Sequence, residues 1–69
     1  MVTIKERREQ LGMTQAELGE MVDVSQAAVC RWETGDTAPL RKLHAKIAEA
    51  LRVPVAELDF SGGNGKRPA

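Results

Sequence analysis

The chain has 69 residues, of which 42% are hydrophobic and 29% are charged, and ten acidic side chains balance ten basic ones. This length allows one small domain with its own hydrophobic core, and the composition excludes an intrinsically disordered chain. The zero net charge argues against strong sequence-independent attraction to nucleic acid, because that attraction depends on neutralising phosphates with excess positive charge.

Residue types narrow the functional classes further. One cysteine, Cys30, and one histidine, His44, allow neither an intrachain disulfide nor a thiolate zinc cluster, and we interpret Cys30 as a small, partly exposed helix residue. The sequence offers no set of paired carboxylates or nucleophile with base, so we predict no enzymatic activity, metal or cofactor. It has no apolar run near the ~18 residues of a membrane span and no signal-peptide pattern, so we expect a cytoplasmic protein.

The first predicted helix begins at Thr3, a suitable N-cap, and ends before Gly12, which suits the left-handed position after a helix. Ile4, Arg8 and Leu11 share one face of this helix. A cation therefore lies on the apolar side.

The second predicted helix begins at Thr14, which forms a capping box with Glu17. Gly19 lowers helix propensity by ~1 kcal/mol, which indicates that a close contact with a neighbouring helix requires it. The inward face is predicted to consist of Leu18, Met21 and Val22.

A turn follows that begins with Asp23, a residue that tolerates the left-handed conformation, and Ser25 caps the third helix. Val29 and Trp32 face inward at i, i+3 spacing, and the helix ends at Gly35. The outward side chains are predicted to be Gln26, Ala27, Cys30 and Arg31.

The fourth predicted helix has Pro39 in its first turn. The dipeptide 53–54 ends it, and residues 55–58 form a further short helical turn. No segment is predicted as a strand. We therefore predict an all-α domain of five helices over residues 1–60, followed by a flexible Gly-rich segment over 61–69. The inward stripe of the fourth helix is predicted to be Leu40, Leu43, Ile47 and Leu51.

Two short helices joined by a three-residue turn form a helix-turn-helix, whose second helix is shaped to enter the major groove of DNA. The whole pattern over residues 3–60 resembles the Cro/repressor-type helix-turn-helix proteins, the XRE-like family of bacterial and phage regulators. The motifs that carry the resemblance are Thr14-Gln15-x-Glu17-Leu18, Gly19, Val22-x-Val24-Ser25, Val29, Arg31-Trp32-Glu33-x-Gly35, and Pro39-Leu40…Leu43…Ile47-Ala48…Leu51-x-Val53.

The resemblance implies a sequence-specific DNA-binding transcriptional regulator, a repressor, in which the third helix (residues 25–34) reads the major groove. Such a protein acts as a homodimer on a palindromic operator. It is expected to be cytoplasmic, nucleoid-associated and of bacterial or phage origin. The alternative is an antitoxin-like protein that binds both DNA and a partner protein, for which only residues 61–69 are spare.

The resemblance also pairs Arg8 with Glu33, because a buried guanidinium needs a carboxylate. The alternative is that Arg8 lays its stem along the surface with its head in water.

For DNA, the resemblance combined with hydrogen-bonding chemistry assigns roles to individual side chains. Gln26 is predicted to pair with adenine, Arg31 with guanine or a phosphate, and Ala27 with a thymine methyl group. The predicted contacts to the DNA backbone are Thr14, Gln15, Ser25, Thr37, Ala38, Arg41 and Lys42. For Gln15, Arg41 and Lys42 a solvated surface role is the alternative. The predicted dimer surface is Val55, Leu58 and Phe60, although Phe60 can instead close the core.

Overall fold

The computed structural model describes residues 1–60, and the segment 61–69 that we predict to be flexible lies outside the described residues. In chain order the elements are β1 (Val2–Thr3), α1 (Ile4–Gln10), α2 (Gln15–Val22), α3 (Gln26–Thr34), a 3-10 turn (Arg41–Leu43), α4 (His44–Leu51), a second 3-10 turn (Val55–Glu57) and β2 (Leu58–Asp59).

The described residues are mostly helical, as predicted, but contain four α-helices rather than five. The predicted fifth helix is a 3-10 turn, because Pro54 precedes it in extended conformation and the backbone becomes extended again at Leu58. The prediction that no strand exists is wrong. β1 and β2 pair in parallel with Val2 opposite Leu58 and Thr3 opposite Asp59, a contact too short to produce a detectable alternation in the sequence.

The predicted helix boundaries around the helix-turn-helix are confirmed by their caps. Thr3 and Thr14 each form a full capping box, and the Ser25 hydroxyl accepts a hydrogen bond from the Ala28 backbone N–H at 3.1 Å. Asp23 ends α2 with φ 62° and Gly35 ends α3 with φ 85°, both in the left-handed region. The ends of α2 and α3 therefore lie at the capping residues that the sequence indicates.

The core is aliphatic apart from Trp32. α2 and α3 pack on each other, and α4 packs on both α1 and α2. The buried apolar residues are Ile4, Leu18, Val22, Val29, Trp32, Ile47, Ala48, Ala50, Leu51 and Leu58.

Two side chains that we predicted to face inward are exposed. Leu40 is 62% exposed because it precedes the 3-10 turn in extended conformation, so helical spacing does not apply to it. Pro39 is likewise outside the helix, although it is buried. Met21 is 52% exposed at the edge of the inward face of α2.

Gly19 lies where the turn after α2 closes on the helix. The Val24 backbone N–H donates to the Gly19 carbonyl at 2.8 Å, and a Cβ added to Gly19 would lie 2.7 Å from the Val24 carbonyl oxygen. Because that atom belongs to the backbone, it cannot swing aside. The predicted packing reason for this glycine is therefore present.

The predicted ion pair between Arg8 and Glu33 is also present, inside the core. Arg8 Nε donates to Glu33 Oε2 at 2.6 Å and Nη2 donates to Oε1 at 3.0 Å, while Nη1 donates to the Met13 carbonyl at 2.7 Å. Both residues are buried, with exposures of 9% and 7%. The hydrogen bond that Arg8 donates to Glu33 raises the pKa of the guanidinium above its usual value, against the opposing effect of burial, so Arg8 stays charged.

Replacing Gly19 with alanine should lower the free energy of unfolding by about 1–3 kcal/mol, because the backbone must move to accommodate the added methyl group. Urea denaturation measures this change. The exposed neighbour Glu20→Ala serves as a control and should shift stability by less than about 0.5 kcal/mol. A Gly19→Ala protein as stable as the wild type would contradict the close contact.

Glu33→Ala should cost about 3–5 kcal/mol of stability, because it leaves the Arg8 guanidinium buried without a carboxylate. The matched control is Glu9→Ala, which removes the exposed carboxylate 3.9 Å from Arg8 Nη2 and should cost below about 1 kcal/mol. Thermal denaturation of both variants tests this difference, and the double variant Arg8→Met/Glu33→Leu should recover much of the loss. Equal effects of the two glutamate substitutions would contradict the structural role of Glu33.

Candidate nucleic-acid interface

A continuous chain of hydrogen bonds runs from the buried ion pair to the exposed start of α3. Glu33 Oε1 accepts from Gln15 Nε2 at 2.9 Å, and Gln15 Oε1 accepts from Gln26 Nε2 at 3.3 Å. Gln15 is half-buried whereas Gln26 is exposed. The buried carboxylate that pairs with Arg8 is therefore also connected to two glutamines nearer the surface.

The two glutamines meet because of where the helices begin. Gln15 is the first residue of α2 and Gln26 is the first residue of α3. The first turns of both helices carry backbone N–H groups that lack intrahelical acceptors, and their helix dipoles point positive charge outward there. This end of the helix pair is consequently suited to an anion such as a phosphate.

The outward face of α3 brings the predicted base-reading residues together. Gln26, Ala27 and Arg31 are exposed, while Val29 and Trp32 on the opposite face are buried. Cys30, which we predicted as a partly exposed helix residue, is exposed on the same side as the reading residues. α3 therefore presents one polar and one small apolar position followed by a cation.

The side chains predicted to contact the DNA backbone fall into two groups. Thr14 and Ser25 cap α2 and α3, and their hydroxyl oxygens accept from backbone N–H groups at 3.0 and 3.1 Å. The hydroxyl hydrogens remain able to donate to another acceptor. The second group is exposed in the segment that follows α3 and consists of Thr37, Ala38, Arg41 and Lys42.

Gln15 differs from the freely solvated glutamine that was the alternative for this position. Its amide oxygen accepts from Gln26 and its amide nitrogen donates to Glu33. From the sequence we predicted Gln15 and Gln26 as two separate DNA contacts, and we did not predict the hydrogen bond between them. No spacing rule reveals it, since the two residues lie eleven positions apart and meet only through the packing of α2 on α3.

The predicted dimer surface is wrong at Leu58, which is 3% exposed and belongs to the core through the pairing of β2 with β1. Phe60 is half-buried and stacks on His44 with ring centroids 3.8 Å apart, as expected of a residue that closes the core. Val55 is 45% exposed. Of the three predicted residues, Val55 is thus the one with a large exposed apolar side chain.

Over residues 1–60, no group of His, Cys, Asp and Glu side chains is arranged to hold a metal ion. In the same part of the chain no helix is long and apolar enough to cross a membrane.

Comparisons with known proteins agree with this geometry. The family model described as helix-turn-helix matches residues 4–58. The crystal structure of the P22 c2 repressor protein, in complex with synthetic operator 9T in the presence of Tl+, is similar, with 36% sequence identity and a TM-score of 0.72. The match covers 75% of this chain and 79% of that one. No curated protein matches the sequence significantly. The chain belongs to the Cro/repressor-type helix-turn-helix family of DNA-binding transcription regulators.

Proposed function

We propose that this protein is a repressor that binds a specific operator sequence as a homodimer, with α3 in the major groove. The observation that carries the proposal is the outward face of α3, where Gln26, Ala27 and Arg31 are exposed on a helix whose other face is packed in the core. The P22 c2 repressor, which is 36% identical, is solved with a synthetic operator. This likeness supports the same class of ligand.

Gln26 is the proposed reader of adenine. Its Nε2 carries two hydrogens, and one of them is donated to Gln15. The second hydrogen is left for adenine N7, and Oε1 is left to accept from adenine N6, which together make the bidentate pair. Gln15 is therefore proposed as a positioning residue, since its hydrogen bond selects the amide orientation that reads adenine.

Arg31 and Ala27 complete the proposed readout. The Arg31 guanidinium can donate two parallel hydrogen bonds to guanine O6 and N7, and the Ala27 methyl group can contact a thymine methyl group. The residues proposed to touch phosphates are Thr14, Gln15, Ser25, Thr37, Ala38, Arg41 and Lys42. Because the net charge is zero, phosphate attraction is weak and affinity depends on the base contacts.

The proposed homodimer would compensate for the small number of reading side chains. One domain presents three of them, and a two-fold dimer reads two half-sites that lie one helical turn apart, which doubles the specific contacts. Val55 supports the proposed dimer surface because it is 45% exposed on the 3-10 turn beside β2. Leu58 is buried and is not part of that surface.

The function is tested by selecting bound duplexes from a random-sequence DNA pool at moderate salt. A repressor of this kind should enrich a palindromic motif. Absence of any enriched motif would contradict sequence-specific binding. A motif without two-fold symmetry would contradict the proposed dimer but would remain consistent with sequence-specific binding through α3.

Gln26→Ala should weaken binding to the selected site by about 1–3 kcal/mol and relax the preference at one base pair in each half-site, because it removes a bidentate contact. Fluorescence anisotropy with single-base variants of the site measures both effects. Gln10→Ala is the matched control, since Gln10 is an exposed glutamine at the end of α1 and should leave binding unchanged. Uniform weakening on all sequences would identify Gln26 as a phosphate contact instead.

A further inference from the structure

A groove separates the α1–α2 loop from the outward face of α2 and has a volume of about 440 Å³. Its floor is apolar, because Leu11 and Met13 are half-buried against the core and Met21 is 52% exposed. Methionine is flexible and polarisable, so it adapts to different apolar side chains. The residues that line the groove are Leu11, Gly12, Met13, Glu17, Glu20 and Met21.

The walls of the groove are acidic. Glu17 and Glu20 are both exposed, and α2 contains no basic residue. Glu17 Oε1 accepts the Thr14 backbone N–H at 2.8 Å, which leaves its second oxygen unengaged by that cap. Asp23 directly follows the helix and is exposed. The groove therefore combines an apolar floor with a negative field.

The groove lies on the side of α2 opposite the residues that this helix buries. α2 buries Leu18, Gly19 and Val22, whereas Glu17, Glu20 and Met21 are exposed. A negative surface is repelled by phosphates, which disfavours its contact with DNA. If α3 enters the major groove as proposed above, the groove beside α2 stays open to solvent in the complex.

We propose that this groove binds a positively charged amphipathic segment of a partner protein. An aliphatic side chain of that segment packs between Met13 and Met21, and its lysines or arginines pair with Glu17 and Glu20. This is the helix-in-groove mode of recognition, in which apolar contacts supply affinity and complementary charge supplies specificity. A second copy of this face does not fit, because two acidic grooves repel each other.

The probe is a synthetic helical peptide with leucines at i, i+3 and i+4 spacing on one face and lysines beside them. It is titrated into the full chain with methyl-labelled methionines and followed by NMR. The methyl signals of Met13 and Met21 should shift saturably. The Met1 signal is an internal reference, because Met1 is 84% exposed and outside the groove. Peptides in which glutamate replaces lysine, or serine replaces leucine, should bind with an affinity that is lower by a factor of roughly ten or more.

Three groove variants test the contribution of each wall and of the floor. Glu17→Gln retains the capping acceptor, Glu20→Gln removes the second charge, and Met21→Gln makes the floor polar. Each variant should bind the lysine–leucine peptide more weakly than the wild type. The double variant Glu17→Gln/Glu20→Gln should lose affinity by roughly tenfold. Glu6→Gln is the matched control, since Glu6 holds the same capping position on α1 outside the groove. It should bind the peptide as the wild type does.

The proposal fails if the peptide produces no saturable shift, if the groove variants bind it as the wild type does, or if the acidic peptide binds equally well. Concentration-dependent shifts of the Met13 and Met21 methyl signals without peptide, with the Met13 shift abolished by Met21→Gln, would show that a second copy occupies the groove. Shifts of Met21 caused by Lys66→Glu/Arg67→Glu in the free protein would assign the groove to the chain itself. Either outcome overturns the partner segment.

DNA binding by the same variants separates this proposal from the proposed function. Glu20→Gln and Met21→Gln should bind the selected duplex at least as tightly as the wild type, and a clear loss of affinity would place the groove on the DNA side and overturn the proposal. A protein that binds the peptide but enriches no DNA motif would contradict the proposed function alone.

Discussion

The bidentate ion pair between Arg8 and Glu33 connects the core of this protein to its surface. It joins α1 to α3, and its two charges are nearly excluded from water. Such a pair adds little net stability when intact, but removal of one partner leaves an uncompensated charge in the core. Glu33 also accepts a hydrogen bond from Gln15, which in turn accepts one from Gln26. The same carboxylate therefore holds α1 against α3 and orients the proposed reading side chain.

A second constraint fixes the positions of the helices that carry these hydrogen-bonded side chains. The turn after α2 closes on Gly19, where the Val24 carbonyl leaves no room for a Cβ, and Asp23 supplies the left-handed residue that reverses the chain. These contacts set the distance between α2 and α3, and thereby bring Gln15 and Gln26 within hydrogen-bonding reach. α2 consequently has two roles. Its first turn supports the surface proposed for DNA, and its outward face carries the acidic groove proposed for a partner protein.

Local signals in the sequence predicted much of this arrangement. Thr14, Ser25 and Gly35 mark the helix ends because capping depends on a few neighbouring residues, and the family motif pointed to the Arg8–Glu33 pair. Contacts between residues distant in the sequence could not be predicted from these local signals. The pairing of β1 with β2 buries Leu58, which we had predicted at the dimer surface, and the link from Gln15 to Gln26 exists only once α2 and α3 are packed. Exposure of Met21 and Leu40 likewise depends on neighbours distant in sequence or on backbone that leaves the helix.

The ratio of affinities for the selected operator and a scrambled duplex, compared between the wild type and Gln15→Ala, tests most directly whether the buried pair governs reading at the surface. Loss of a phosphate contact alone weakens both duplexes equally and preserves the ratio. Loss of positioning frees the Gln26 amide to adopt orientations that do not read adenine. The ratio should therefore fall toward that of Gln26→Ala. An unchanged ratio would contradict the idea that Gln15 transmits order from Glu33 to Gln26.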